Sequence, residues 1–127
     1  MPAVPCFRVL VVDDDPKIVS ILVRILREQG YGALGALTAR DALRLISTSR
    51  PDLVLLDLTL PGMSGLEFLR SIRPIDPNMG VIVVTGNTDP RVAREALELG
   101  AYAYVVKPFE IDYLMRVVSL ALQRSST

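Results

Sequence analysis

No histidine occurs anywhere in these 127 residues. That removes histidine-based catalysis, imidazole ligation of zinc and service as a phosphohistidine carrier. The single cysteine, Cys6, leaves no disulfide and no thiolate metal site, so it reads as a free structural or surface thiol. Net charge is missing too. The 14 basic and 14 acidic residues cancel, whereas a domain that grips nucleic acid normally shows a basic face. The arginines are scattered along helical segments (Arg24, Arg27, Arg40, Arg44, Arg70, Arg73) and read as solvated helix faces. No uncharged apolar run approaches the ~18 residues that a membrane helix needs. Residues 2–7 lack the basic start and long apolar stretch of a signal peptide. The expectation is one soluble, cytoplasmic domain over residues 1–127, with its core at about 8–123. Half of the residues are hydrophobic and 22% are charged, enough to bury a core without staples.

What is present is a regular alternation of strand and helix signals. Residues 8–12 read as the first strand. Asp15 is the expected N-cap of a helix with Pro16 at its first position. Ile18, Ile21, Leu22, Ile25 and Leu26 form its apolar stripe, and Gly30 ends it. Residues 31–37 form a weak, Gly- and Ala-rich strand. Thr38 caps a second helix containing Ala42, Leu43, Leu45 and Ile46. Residues 51–57 are the third strand and residues 64–72 the third helix, with Leu66, Phe68, Leu69 and Ile72 inward. Residues 79–85 are the fourth strand. Thr88 or Asp89 caps a fourth helix that ends at Gly100. Residues 101–106 are the fifth strand and residues 110–123 the last helix; residues 124–127 read as a fraying tail. The strands are nearly continuous Val/Leu runs, as expected when both faces are covered. Right-handed crossovers then give an α/β fold: a doubly wound, parallel, five-stranded sheet, (βα)5.

Five polar residues end these strands. Asp13 and Asp14 follow the first, Asp57 the third, Thr85 the fourth and Lys107 the fifth. Strand C-termini meet along one edge of a parallel sheet, where ligands bind. Three carboxylates, a hydroxyl and an ammonium therefore converge, a set that suits one divalent cation and one phosphoryl group. Mg²⁺ takes hard oxygen ligands in octahedral geometry and keeps several waters, so carboxylates plus a carbonyl hold it. Without metal, three close carboxylates raise each other's pKa; bound metal inverts that balance. An aspartate beside the ion can attack phosphorus and form an acyl phosphate. Lys107 supplies a mobile point charge for one phosphoryl oxygen, and Thr85 a hydroxyl donor for another. Taken singly, each piece has an ordinary structural role: helix capping for the acidic run at 13–15, a turn acid at Asp57, a strand exit at Lys107. Their common register at four strand ends sets them apart.

Val-Val-Asp-Asp at 11–14, Asp-Leu-Thr-Leu-Pro-Gly-Met-Ser-Gly at 57–65, Val-Val-Thr at 83–85 and Lys-Pro-Phe at 107–109 together resemble the response-regulator receiver domain of two-component signalling. The resemblance covers residues 8–123. It implies the flavodoxin-like strand order 2-1-3-4-5. It also implies that a sensor histidine kinase, a phosphotransfer protein or a small phosphodonor phosphorylates Asp57 with Mg²⁺ as cofactor. Such a domain is no classical enzyme; it catalyses its own aspartyl phosphorylation and dephosphorylation. By the same resemblance Asp14 is a direct metal ligand, Asp13 acts largely through water, and the Thr59 backbone carbonyl also binds metal. Lys107–Pro108 would be cis. Thr85 and Tyr104 would be the switch pair that reports to the face of the fourth helix, fifth strand and last helix. Thr59 and Asn87 should line the mouth of the site, and Ser64 should cap the third helix.

Other functions on this fold fit less well. A flavin carrier needs a Ser/Thr/Gly-rich phosphate loop after the first strand, where this chain has Asp-Asp-Asp-Pro. An aspartate-nucleophile phosphatase usually carries a second carboxylate two residues on, where this chain has Thr59. A degenerate receiver acting as a constitutive interaction module, or the N-terminal receiver of a longer transcription factor, remains compatible with the sequence. Finally, Ile111, Leu114, Met115, Val118 and Leu122 form a core-facing set on the last helix. Tyr113, Val117 and Leu120 recur at i, i+4 and i+7 on a different face. They predict a second apolar stripe, exposed beside Tyr104, for a partner that is most simply a second copy of the chain; the alternative is a last helix simply more buried than usual.

Overall fold

The computed structural model describes residues 7–125, with side chains through Gln123; Cys6 and the last two tail residues lie outside the described part. The elements alternate throughout: β1 (Arg8–Val12), α1 (Pro16–Glu28), β2 (Gly32–Ala36), α2 (Ala39–Ser49), β3 (Leu53–Leu56), α3 (Gly65–Ile72), β4 (Gly80–Thr85), α4 (Pro90–Glu98), β5 (Ala103–Val106) and α5 (Ile111–Ser125). The five strands form one parallel sheet in the order β2-β1-β3-β4-β5, as expected.

Each strand sends alternate side chains to opposite faces. Val9, Val11, Leu53, Leu55, Ile82 and Val84 pack under α1 and α5, against Leu22, Leu26, Leu114, Val118 and Leu122. Leu10, Val12, Val54, Leu56, Val81 and Val83 pack under α2, α3 and α4, against Ile46, Phe68, Leu69, Ile72 and Ala96. β3 and β4 lie between neighbours on both sides, and Leu53, Val54, Leu56, Val81, Ile82 and Val83 are fully buried. Full burial of one such side chain contributes about 1.5–3 kcal/mol before entropy is counted. The two cores therefore fix the sheet, and the sheet fixes the level of its C-terminal edge.

Helix starts follow local chemistry. The side chains of Asp15, Thr38, Ser64 and Asp89 accept from Lys17, Asp41, Glu67 and Arg91 N–H groups and cap α1 to α4. Of the two expected caps for α4, Asp89 is the one used. Gly30 and Gly100 follow α1 and α4 with positive φ, 96° and 95°, where a Cβ would be strained.

Three expectations about apolar faces and ends are corrected. Val117 is buried beneath α5, at 8% exposure, while Tyr113 and Leu120 are 51% and 48% exposed. At 100° per residue Val117 lies beside Leu114 and Ala121, so the helix buries a wider arc than a narrow stripe, and only the outer pair stays in solvent. Ile21 is 52% exposed, and Val19 takes its place beside Leu22 and Leu26 in the core. α5 runs to Ser125, two residues past its expected end, because no Gly or Pro stops it at Gln123. Among the described residues no helix is long and apolar enough to cross a membrane.

The correction at Val117 generates a test. Val117→Ala should cost about 1–3 kcal/mol of stability, and Leu120→Ala less than about 0.5. Urea denaturation of both variants checks this; equal midpoints would put Val117 back on the surface.

Candidate functional site

The hydrogen-bond ladder runs one residue beyond the strands. Asp13 N–H donates to Ala36 O (3.2 Å), Asp57 N–H to Val12 O (2.9 Å) and Lys107 N–H to Thr85 O (2.8 Å). These bonds hold the polar residues at one level just past the apolar sheet, so their side chains share a small volume.

Carboxylate oxygens of Asp13, Asp14 and Asp57 lie within 4.8 Å of one another. Asp13 and Asp57 are buried, at 3% and 5% exposure, and Asp14 is exposed. Two buried anions this close need a cation. Lys107 Nζ provides it, 2.6 Å from Asp13 Oδ2 and 3.0 Å from Asp57 Oδ2. The second oxygen of each carboxylate takes a backbone N–H: Asp15 N to Asp13 Oδ1 at 2.9 Å, and Thr59 N to Asp57 Oδ1 at 3.1 Å. Burial pushes the Asp13 carboxyl above the ordinary carboxylate range, and the Lys107 and Asp15 hydrogen bonds only partly offset it. For Lys107, burial works against the ammonium, but its bonds to Asp13 and Asp57 outweigh that and raise its pKa. The Lys107–Pro108 peptide is cis, as the resemblance implied.

The donor set fits a hard divalent cation. Three carboxylates converge with one ammonium among them, and one of the three stays open to solvent. That leaves an oxygen-rich, net-negative pocket edge of the kind Mg²⁺ occupies while it keeps waters. Gly65 opens α3 against the loop that follows β3. A Cβ there would sit 2.3 Å from Leu58 Cα and 3.0 Å from Asp57 O, so only glycine lets α3 begin this close to the loop.

Thr85 is fully buried. Its Oγ1 accepts from Asn87 N–H at 3.4 Å, and the Tyr104 hydroxyl donates to Asn87 O at 2.7 Å. Asn87 Oδ1 in turn accepts from Asp89 N–H at 2.9 Å, one residue before α4. Asn87 thus joins the two residues expected to form the switch pair. Its position beside the site was expected; its role as their link was not, because it runs through backbone atoms. Burial raises the Tyr104 pKa, with the charges of Asp89 and Asp57 adding to it. Tyr104 is half-buried and packs against the α2/α3/α4 core, while Val106 is 39% exposed.

The response regulator receiver domain family model matches residues 9–119. The chain is 37% identical over 119 residues to sporulation initiation phosphotransferase F of Bacillus subtilis, covering 94% of this chain and 96% of that one. It is 40% identical over 118 residues to the DNA-binding response regulator MtrA of Mycolicibacterium smegmatis, covering 93% of this chain but 51% of that one. A response regulator receiver domain protein of Methanospirillum hungatei superposes with a TM-score of 0.92 at 33% identity, covering 96% of this chain and 98% of that one.

The Lys107 bridge has a defined pH dependence. A lysine whose pKa is raised on folding contributes its full stability below the ordinary lysine range and loses it only as pH rises through the higher folded value. In chelator, Lys107→Met should therefore be less stable than wild type by about 1–3 kcal/mol at neutral pH. The gap should stay flat on the way up and close only above the ordinary lysine range. Denaturant titrations across pH measure this, and a variant as stable as wild type at neutral pH would show that the bridge stabilises nothing.

Proposed function

The chain belongs to the response regulator receiver family, and from that membership we propose that Asp57 is its phosphoryl acceptor, served by Lys107 and Thr85. Receivers are phosphoryl-accepting signalling switches that take the group from histidine kinases or phosphotransfer proteins. The observation that carries the assignment is the buried Asp57 carboxylate held between Lys107 Nζ at 3.0 Å and the Thr59 N–H at 3.1 Å. The two contacts fix its orientation, so that one oxygen can meet an incoming phosphorus in line.

Asp13, Asp14, Asp57 and the Thr59 carbonyl are the residues that would hold Mg²⁺, which when bound neutralises phosphoryl oxygens and offsets the carboxylate repulsion. An Asp57 oxygen forms a bond to phosphorus while the donor's P–N or P–O bond breaks, and the departing group keeps that electron pair. The Lys107 ammonium, relieved of Asp57, follows the charge onto a phosphoryl oxygen. The Thr85 hydroxyl turns from Asn87 to donate to another. Loss of the Asn87–Thr85 bond then loosens the carbonyl that holds Tyr104, and the change reaches α4 and β5. Water entering past Thr59 and Asn87 at the mouth attacks phosphorus, the Asp57 O–P bond breaks, inorganic phosphate leaves and the Asp57 carboxylate is regenerated. We assign residues 1–127 to one receiver domain, cytoplasmic in location and without direct nucleic-acid contact, as its balanced charge suggests. The presence of acceptor, acids and lysine together disfavours a degenerate module. Service as the receiver of a longer transcription factor is compatible with the same chemistry.

Acetyl phosphate with Mg²⁺ should add one phosphoryl group to the intact chain by mass spectrometry. The addition should vanish in Asp57→Asn and in chelator; equal labelling of Asp57→Asn would place the acceptor elsewhere.

Exposed apolar side chains on α4 (Leu97), β5 (Val106) and α5 (Tyr113, Leu120) support a second element of the reading: two copies associate through this face when phosphorylated. Val117 takes no part, being buried. Sedimentation with beryllofluoride, a phosphoryl mimic, should show dimer, and Leu120→Glu should weaken it at least about tenfold. Unchanged association in that variant would remove the face from consideration.

A further inference from the structure

α4 is the most lightly anchored helix of the fold. Ala96 is its one buried residue, and Val92 and Leu99 are partly buried against the core. Its two ends are held in different ways. The N-terminal end hangs on short-range bonds of the loop that leads from Thr85: Asp89 N–H to Asn87 Oδ1 and Arg91 N–H to Asp89 Oδ1, each 2.9 Å. Tyr104 reaches this loop through its hydroxyl bond to Asn87 O.

The C-terminal end is gripped by Arg73, the C-cap residue of α3. Its guanidinium donates from Nε to Leu99 O at 3.0 Å and from Nη2 to Gly100 O at 2.9 Å. Nη1 donates to Met79 O at 2.7 Å, with Pro77 O at 3.5 Å as a weaker fourth partner. The planar fork therefore ties the carbonyls just past α4, at its C-cap Leu99 and at Gly100, to the backbone just before β4. A cation at the carbonyl end of a helix is favoured by the helix dipole as well. Gly100 is part of the grip. Its φ is +95°, and a Cβ there would lie 3.1–3.3 Å from the guanidinium. Arg70 and Glu95 add an exposed 3.0 Å pair one turn earlier, which contributes little by comparison. β4 is the strand whose other end is Thr85, so the clamp and the site lie at opposite ends of one central strand.

We propose that Arg73 is a positioning residue that fixes the C-terminal end of α4 to the start of β4, so that a change at Thr85, Asn87 and Tyr104 emerges as a swing of the N-terminal turn of α4 about that fixed end. The proposal rests on the reading of Thr85 and Tyr104 as the reporting pair. A loosely packed helix held at both ends by equal means would shift as a whole. Held by a half-buried guanidinium fork at one end and by loop bonds at the other, it moves where the bonds are rearranged.

Hydrogen exchange on the full chain, with and without Mg²⁺ and beryllofluoride, tests this. In wild type, the amides of residues 91–94 should change protection on adding beryllofluoride, while those of 99–101 stay within about twofold. Arg73→Met should accelerate exchange at 99–101 by about tenfold or more without any ligand. With beryllofluoride both ends should then respond. Arg73→Lys, with a point charge that reaches fewer carbonyls, should fall between. Gly100→Ala should loosen the same amides while keeping the guanidinium, which guards against a folding defect of Arg73→Met. Phosphoryl acceptance at Asp57, followed by mass, should be unchanged in all three variants. Equal responses at both ends of wild-type α4, or 99–101 as slow in Arg73→Met as in wild type, would overturn the pivot alone. No beryllofluoride response anywhere in a folded wild type would sink the phosphoryl-switch reading and the pivot with it.

Discussion

Two buried carboxylates share one ammonium, and the rest of this molecule is organised around that arrangement. Asp13 and Asp57 lie at adjacent strand ends with oxygens close enough to repel. Burial pushes the Asp13 carboxyl above the ordinary carboxylate range. Lys107 arrives from the far edge of the sheet, across β4, and bonds to both. Only a side chain as long as lysine, leaving β5 at the right level, can do so. On the proposed reading, an ammonium between two acids is a counter-charge that a bound cation and a phosphoryl group would relieve and redirect.

The level of the strand ends follows from the two cores. If β3 slipped by one residue against β1, Asp57 would leave the cluster and Leu56 would enter it. The alternating burial of Leu53, Val54, Leu55 and Leu56 against helices on both faces prevents that slip. Stability and chemistry are thus joined: the apolar packing decides where the charges meet, and the Lys107 bridge limits what that meeting costs.

From the site outward, the connections become local and breakable. Thr85 touches Asn87 by one long hydrogen bond, and Asn87 holds Tyr104 and Asp89 by one each. α4 buries a single residue. A segment with so little apolar area to lose can change position at small free-energy cost. The opposite end of the same helix is bound by a guanidinium with all its strong contacts on carbonyls. Motion and fixity therefore sit on one helix, nine residues long.

The sequence by itself determined the alternation of elements, the caps at Asp15, Thr38 and Ser64, the membership in a family, and the set Asp13, Asp14, Asp57, Thr85 and Lys107. These are legible because they depend on near neighbours: apolar runs, capping residues and polar residues placed just past a strand. What only the tertiary structure decided depends on packing between distant segments. Helical spacing alone puts Val117 on an exposed stripe, yet α5 lies broadly enough on the sheet to bury it. Periodicity puts Ile21 in the core, but the face that α1 lays on the sheet carries Val19, Leu22 and Leu26 and leaves Ile21 outside. In the sequence Arg73 reads as one of several solvated arginines, because its partners are carbonyls at residues 79, 99 and 100, and backbone acceptors leave no mark in a sequence. The Asn87 link was hidden for the same reason: its carbonyl and N–H, not its side chain, join Tyr104 to Thr85.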